Sequence, residues 1–185
     1  MSGLVQPPEH VTGPDWFVGA VMSPSTSHRI DVDGATIHYR TWDAPEDCAN
    51  ANEDKPGLLL VHGGAAHSHW WDFVAPFFTQ GFHVAAFDLS GCGDSSWRPF
   101  YNFELHAREA LAVLRDSGML DKPLAPIVVG HSFGGYVTLM LGRLFGQHLR
   151  GIVVVDIAIE VDGEESADQI RVTATVCRGR RGPKA

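Results

Sequence analysis

The residue best placed by its neighbours to attack a carbonyl carbon is Ser132, at the centre of Gly130-His131-Ser132-Phe133-Gly134. This G-x-S-x-G lies between an apolar run, 126–130, that reads as a strand and a stretch, 132–144, that reads as a helix. A strand that turns abruptly into a helix strains its junction residue. Small residues two positions to either side let the chains come close enough to permit the bend. The hydroxyl then stands out at the carboxyl edge of a sheet. Amide N–H groups at the start of the helix, beginning with Phe133, face whatever negative charge develops there. The bare pattern also occurs as a plain glycine-rich helix entry, so its meaning comes from the strand–turn–helix setting.

Acyl transfer needs a second amide donor, and His62-Gly63-Gly64-Ala65 follows the apolar run Gly57–Val61. Glycines let the backbone approach a substrate oxygen, and Gly64 is the candidate donor. The alternative is a simple Gly-Gly turn after a strand.

Elements of the right kind surround these residues. Segments 28–32 and Ala35–Trp42 read as strands joined at Asp33-Gly34, a strong hairpin dipeptide. Gly57–Val61 (GLLLV) is apolar throughout, as a strand buried on both faces should be. Further strands are expected over 83–89, 126–130 and 151–157, and helices over 68–79, 103–117 and 132–144. Strands alternating with helices build an α/β protein: a doubly wound, mostly parallel sheet with helices on both faces. Residues 1–27, with four prolines and no sustained period, read as an N-terminal arm pinned by Trp16, Phe17 and Val18. Residues 28–160 form the domain, and 161–185, where acidic and then basic residues cluster, read as an irregular or disordered tail.

Composition narrows the function classes. The chain has 185 residues, 44% hydrophobic, with 14 Lys and Arg against 22 Asp and Glu and a net charge of −8. Such an acidic chain is unsuited to binding phosphate backbones, so no nucleic-acid partner is expected. Three scattered cysteines (Cys48, Cys92, Cys177) indicate neither a disulfide framework nor a zinc ribbon. No apolar run is long enough to span a bilayer, and the first residues lack the pattern of a secretory signal. The expectation is a soluble cytoplasmic protein with no membrane partner.

Three motifs in order carry a resemblance to the α/β-hydrolase fold family over roughly residues 28–160. They are His62-Gly63-Gly64, then Asp88-Leu89-Ser90-Gly91-Cys92-Gly93-Asp94-Ser95, then Gly130-His131-Ser132-Phe133-Gly134-Gly135. The resemblance implies an esterase-like serine hydrolase acting on an ester-like carbonyl small molecule through an acyl-serine intermediate. No metal or organic cofactor is implied. It assigns Ser132 as nucleophile and Gly64 and Phe133 as the oxyanion hole, and gives the 88–95 turn an architectural role.

The same family order, serine then acid then histidine, is not completed here. Downstream of Ser132 only His148 remains, sixteen residues on and about 20 Å along a helix. Among the histidines that precede or adjoin the serine are His62, His67, His69, His83, His106 and His131; His62 holds the glycine loop in this family. Asp156, ending the strand 151–157, is the best remaining acid, or else a loop cap. The chain is therefore expected to lack the last strands of the core, as a C-terminally truncated hydrolase with weak or no turnover. Its final strand would then be an open edge available for self-association.

Rival readings are thinner. Gly91-Cys92-Gly93 lacks the third glycine of a dinucleotide fingerprint. His67-Ser68-His69-Trp70-Trp71-Asp72 misplaces the aspartate of a zinc motif. Trp70, Trp71 and Phe73 either wall a substrate pocket together with His62 and His131, or pack in the core. The alternative from another class is a catalytically dead small-molecule binding or interaction module on the same fold.

Overall fold

The computed structural model describes residues 3–5, 8–43, 55–157 and 177–178. Its elements are β1 (Gly3–Val5), α1 (Asp15–Val21), β2 (Ser25–Val32), β3 (Ala35–Trp42), β4 (Gly57–Val61), α2 (Ala75–Phe78), β5 (His83–Phe87), α3 (Phe103–Asp116), β6 (Ile127–His131), α4 (Phe133–Phe145), β7 (Gly151–Val155) and β8 (Cys177–Arg178). They form one eight-stranded sheet in the order β1-β2-β3-β5-β4-β6-β7-β8. The centre, β5-β4-β6-β7, is parallel, and β1, β2, β3 and β8 pair antiparallel.

Strand β4 shows why a continuous apolar run belongs at the centre. Its side chains alternate between two cores. Leu59 and Val61 join Phe87, Val128 and the inner faces of α3 (Ala107, Ala110, Leu114) and α4 (Val137, Leu141). Leu58 and Leu60 join Trp42, Val84, Ala86, Trp71 and Ala75 of α2 on the opposite face. Both faces of the central strands are thus covered by helices, as the alternating pattern requires.

Several boundaries differ from the sequence reading. The 1–27 arm contributes structure: β1 pairs with β2, which begins at Ser25, and α1 starts after Pro14 with Asp15 in its first turn. Trp16 and Phe17 of that helix contact Phe77 and Phe73. Three turns' worth of periodicity were needed to see α1, and it has only seven residues. The expected helix over 68–79 is broken into a 3₁₀ turn, Ser68–Trp71, and the single turn of α2. Pro76 has no N–H for a carbonyl four residues back and fits only a first turn. Strand β7 is not the sheet edge, because Gly151 and Ile152 pair with Arg178 and Cys177. The remainder of the tail, 161–176 and 179–185, lies outside the described residues, as does 158–160.

Buried charge ties the connections to the sheet. Glu109 of α3, fully buried, takes hydrogen bonds from Arg98 Nε at 2.9 Å, His106 Nδ1 at 3.0 Å and the Ser90 amide at 3.2 Å. The other guanidinium nitrogens of Arg98 donate to the carbonyls of Asp33 and Val32. Asp88, after β5, accepts from His38 Nδ1 at 2.8 Å and from the amides of Asp94 and Ser68. Burial opposes ionisation of both carboxyls, but these donors outweigh it and hold each below the ordinary carboxylate range. Both groups therefore bind fewer protons folded than unfolded, and their stabilisation is full above about pH 5. It falls as the pH drops through the ordinary carboxylate values near 4 toward the depressed folded values. Urea midpoints measured from pH 7 to pH 3 are expected to decline gently below about pH 6.5, where buried His62 and His83 resist protonation, and more steeply below about pH 4.5. A midpoint that rises on acidification contradicts this account.

Candidate active site

The functional candidates gather at the carboxyl edge of β4, β6 and β7. Ser132 joins β6 to α4 with φ +50° and ψ −120°, a left-handed backbone that a non-glycine residue adopts only under constraint. The constraints are visible. Its amide donates to Val155 O at 2.9 Å, and its carbonyl accepts the Gly135 amide at 2.8 Å. The side chain makes no capping bond to the helix it precedes. Ser132 is half-buried, at the amino end of α4.

The flanking glycines are required by contact. A Cβ on Gly130 would collide with Gly134 O and with Thr138 Oγ1, and one on Gly134 would collide with the carbonyl oxygens of Val61 and His62. Helix α4 therefore lies directly on the end of β4. This brings the glycine loop against the bend: a Cβ on Gly63 would come 3.3 Å from Ser132 Cβ, and one on Gly64 3.8 Å from Phe133 Cβ.

His62 is a correction to the pocket expectation. It is fully buried, and both ring nitrogens are occupied by backbone. Nε2 accepts the Leu89 amide at 3.1 Å, which leaves the proton on Nδ1, donated to Gly63 O at 2.7 Å. Burial keeps the ring neutral by lowering its pKa. A trans peptide carries its N–H opposite its C=O, so tying Gly63 O to His62 turns the Gly64 N–H away from that ring. His62 therefore positions the loop.

Trp71 is a second correction. It is 9% exposed and packs among Leu58, Leu60, Trp42 and Ala75, so it belongs to the core rather than to a pocket wall. Trp70, next to it, is 48% exposed and stacks on His131 with ring centroids 5.7 Å apart. The turn is held by Arg40, whose buried guanidinium bonds Asp72 and His69 on either side of the tryptophans. Phe73 contacts Phe17 of α1.

Asp156 follows β7 with φ +54°, is largely exposed, and its Oδ2 lies 3.7 Å from His131 Nε2. That is ion-pair range and too long for a hydrogen bond. His148 sits in the turn after α4, at the far end of the helix from Ser132. Sequence reasoning missed the aromatic cluster around Phe133, where Phe103 lies 5.3 Å from Phe133 and 5.8 Å from Tyr136. Its signal was faint: Phe103 opens a helix, where an aromatic reads as core. Among the described residues no group of three His, Cys, Asp or Glu is arranged to hold a metal, and no helix is long and apolar enough to cross a membrane.

Comparison with known proteins identifies the family. Residues 58–182 match the alpha/beta hydrolase family. An esterase of Mycobacterium tuberculosis is 32% identical over 131 residues, covering 68% of this chain and 42% of the relative. A lipase of the same organism is 32% identical over 106 residues, covering 57% of this chain and 39% of the relative. The chain thus spans about two-fifths of the length of these relatives. The solved structure of an Aspergillus niger epoxide hydrolase superposes with a TM-score of 0.63 at 21% identity, over 78% of this chain and 37% of that one, a likeness of fold alone. Sequence motifs, sheet order and the strained serine between strand and helix lead to one assignment, and the chain belongs to the alpha/beta hydrolase family.

Proposed function

We propose that this protein is a serine hydrolase of ester-like carbonyl compounds, with Ser132 as nucleophile and the amides of Phe133 and Gly64 as the oxyanion hole. The observation that carries the reading is the left-handed backbone of Ser132 between two glycines that admit no Cβ. It holds a hydroxyl at the amino end of α4, where amide N–H groups stabilise negative charge. Ser132 Oγ attacks the carbonyl carbon, the oxyanion forms between the two amides, the alcohol leaves, and water releases the acid.

The proton of the serine needs a base. His62 is committed to backbone on both nitrogens, and His148 is a helix length away. Turnover by residues 1–185 is therefore proposed to be weak, because loss of the histidine alone costs about 10⁶ in a well-studied serine protease.

Prolonged exposure to a fluorophosphonate, with imidazole added as an external base, tests the assignment by mass spectrometry. The expected result is a single adduct on the peptide carrying Ser132, absent in Ser132→Ala. An adduct that persists in Ser132→Ala, or no adduct with or without imidazole, overturns it and favours the non-catalytic binding module.

A further inference from the structure

We propose that Phe103, Phe133 and Tyr136 form an acyl subsite that selects carbonyl substrates bearing an aromatic group. The inference rests on Ser132 being the nucleophile. Phe133 is the residue after Ser132, and its amide is the assigned oxyanion donor, so the aromatic cluster begins one residue from the proposed nucleophile. Phe103, at the first position of α3, leans on that ring at 5.3 Å and 37°, and on Tyr136 at 5.8 Å and 43°. Phe103 is 37% and Tyr136 39% exposed, so the cluster presents an aromatic surface rather than burying it.

The surface is held rigidly. Asn102 caps α3 through a 2.7 Å bond from the Leu105 amide, which sets where Phe103 begins. The edge of Phe133 is met by His106 at 5.8 Å and 81°, and His106 is itself fixed to Glu109. A ring held between Phe103 and His106 is preorganised, so a guest gains contact without ordering the wall. Trp70 stacks on His131, the residue before Ser132, and the Asp156 carboxylate lies 3.7 Å from that imidazole. Exposed aromatic faces favour a flat guest, and the carboxylate disfavours an anionic one.

A planar ring gains stacking energy beyond its buried area, worth about three- to tenfold in affinity. Boronic acids read this directly, because their substituent stands where an acyl group would. The Ser132 oxygen bonds to boron, which becomes a tetrahedral anion, and the serine proton goes to the buffer. The full chain is titrated with phenylboronic and with cyclohexylboronic acid, similar in size, and tetrahedral boron is followed by ¹¹B NMR. Phe103→Leu is expected to lower the phenyl-to-cyclohexyl affinity ratio about three- to tenfold. Phe103→Tyr, which keeps the ring, is expected to preserve it, and Tyr136→Leu provides the same reading from α4 should Phe103→Leu fold poorly. Binding that disappears in Ser132→Ala but whose ratio none of these substitutions changes overturns the aromatic subsite alone. Tetrahedral boron that never forms, or that survives Ser132→Ala, overturns the nucleophile assignment and the subsite with it.

Discussion

Gly134→Ala is expected to destabilise the protein by about 3 kcal/mol, a large part of the 5–15 kcal/mol that holds a typical domain together. The added methyl meets the carbonyl oxygens of Val61 and His62, which are backbone atoms at the end of the central strand and have no rotamer to escape into. Either α4 lifts from the sheet, loosening Val137 and Leu141 from the core, or the end of β4 moves and separates Gly64 from Phe133. Urea denaturation measures the cost. Gly146→Ala is the control, since nothing lies within 4 Å of a Cβ there and its φ is −57°; removing a glycine from the unfolded chain should leave stability unchanged or raise it by up to about 1 kcal/mol. A loss below about 1 kcal/mol in Gly134→Ala would mean that α4 does not rest on β4 as closely as described.

Ser132→Gly and Ser132→Ala separate the strain at the bend from its chemistry. Both remove the hydroxyl and are expected to abolish covalent labelling completely. Their stabilities should differ. Alanine keeps a side chain at φ +50°, whereas glycine takes that conformation freely. Strain at such a position is of order 1–3 kcal/mol, and the greater freedom of unfolded glycine returns about 0.5–1 kcal/mol. The glycine variant should therefore be more stable than the alanine variant by about 1 kcal/mol. A glycine variant less stable than the alanine variant by about 0.5–1 kcal/mol would show that the bend at 132 stores no strain, and the reason for a serine held outward there would be lost.

What could be read in advance followed from local rules. Leu58–Val61 is apolar at every position because a central parallel strand meets a core on each face, and the two cores divide its residues alternately. The hairpin at Asp33-Gly34 pairs Val32 with Ala35 as that dipeptide demands, and both turn residues have positive φ. The bend at Ser132 was legible because steric rules for G-x-S-x-G leave few other conformations. The short helix α1, the break before α2 and the two-residue β8 were not, since helical pieces of two turns or fewer show no sustained 3.6-residue period and a two-residue strand shows no pattern at all.

The candidate site divides in the same way. The proposed nucleophile and the two proposed amide donors could be named from residue order, because one chain segment supplies the serine together with Phe133 and another the glycine loop. The fates of His62, Trp70 and Trp71 were not, because each is decided by partners distant in sequence. Leu89 and Gly63 occupy His62, His131 takes up Trp70, and Leu58 and Leu60 bury Trp71. Neighbours along the chain decide backbone conformation through sterics that act over a few residues. Which side chains meet across the sheet depends on how β4, β6 and α4 pack, a property of the folded whole that no local pattern contains.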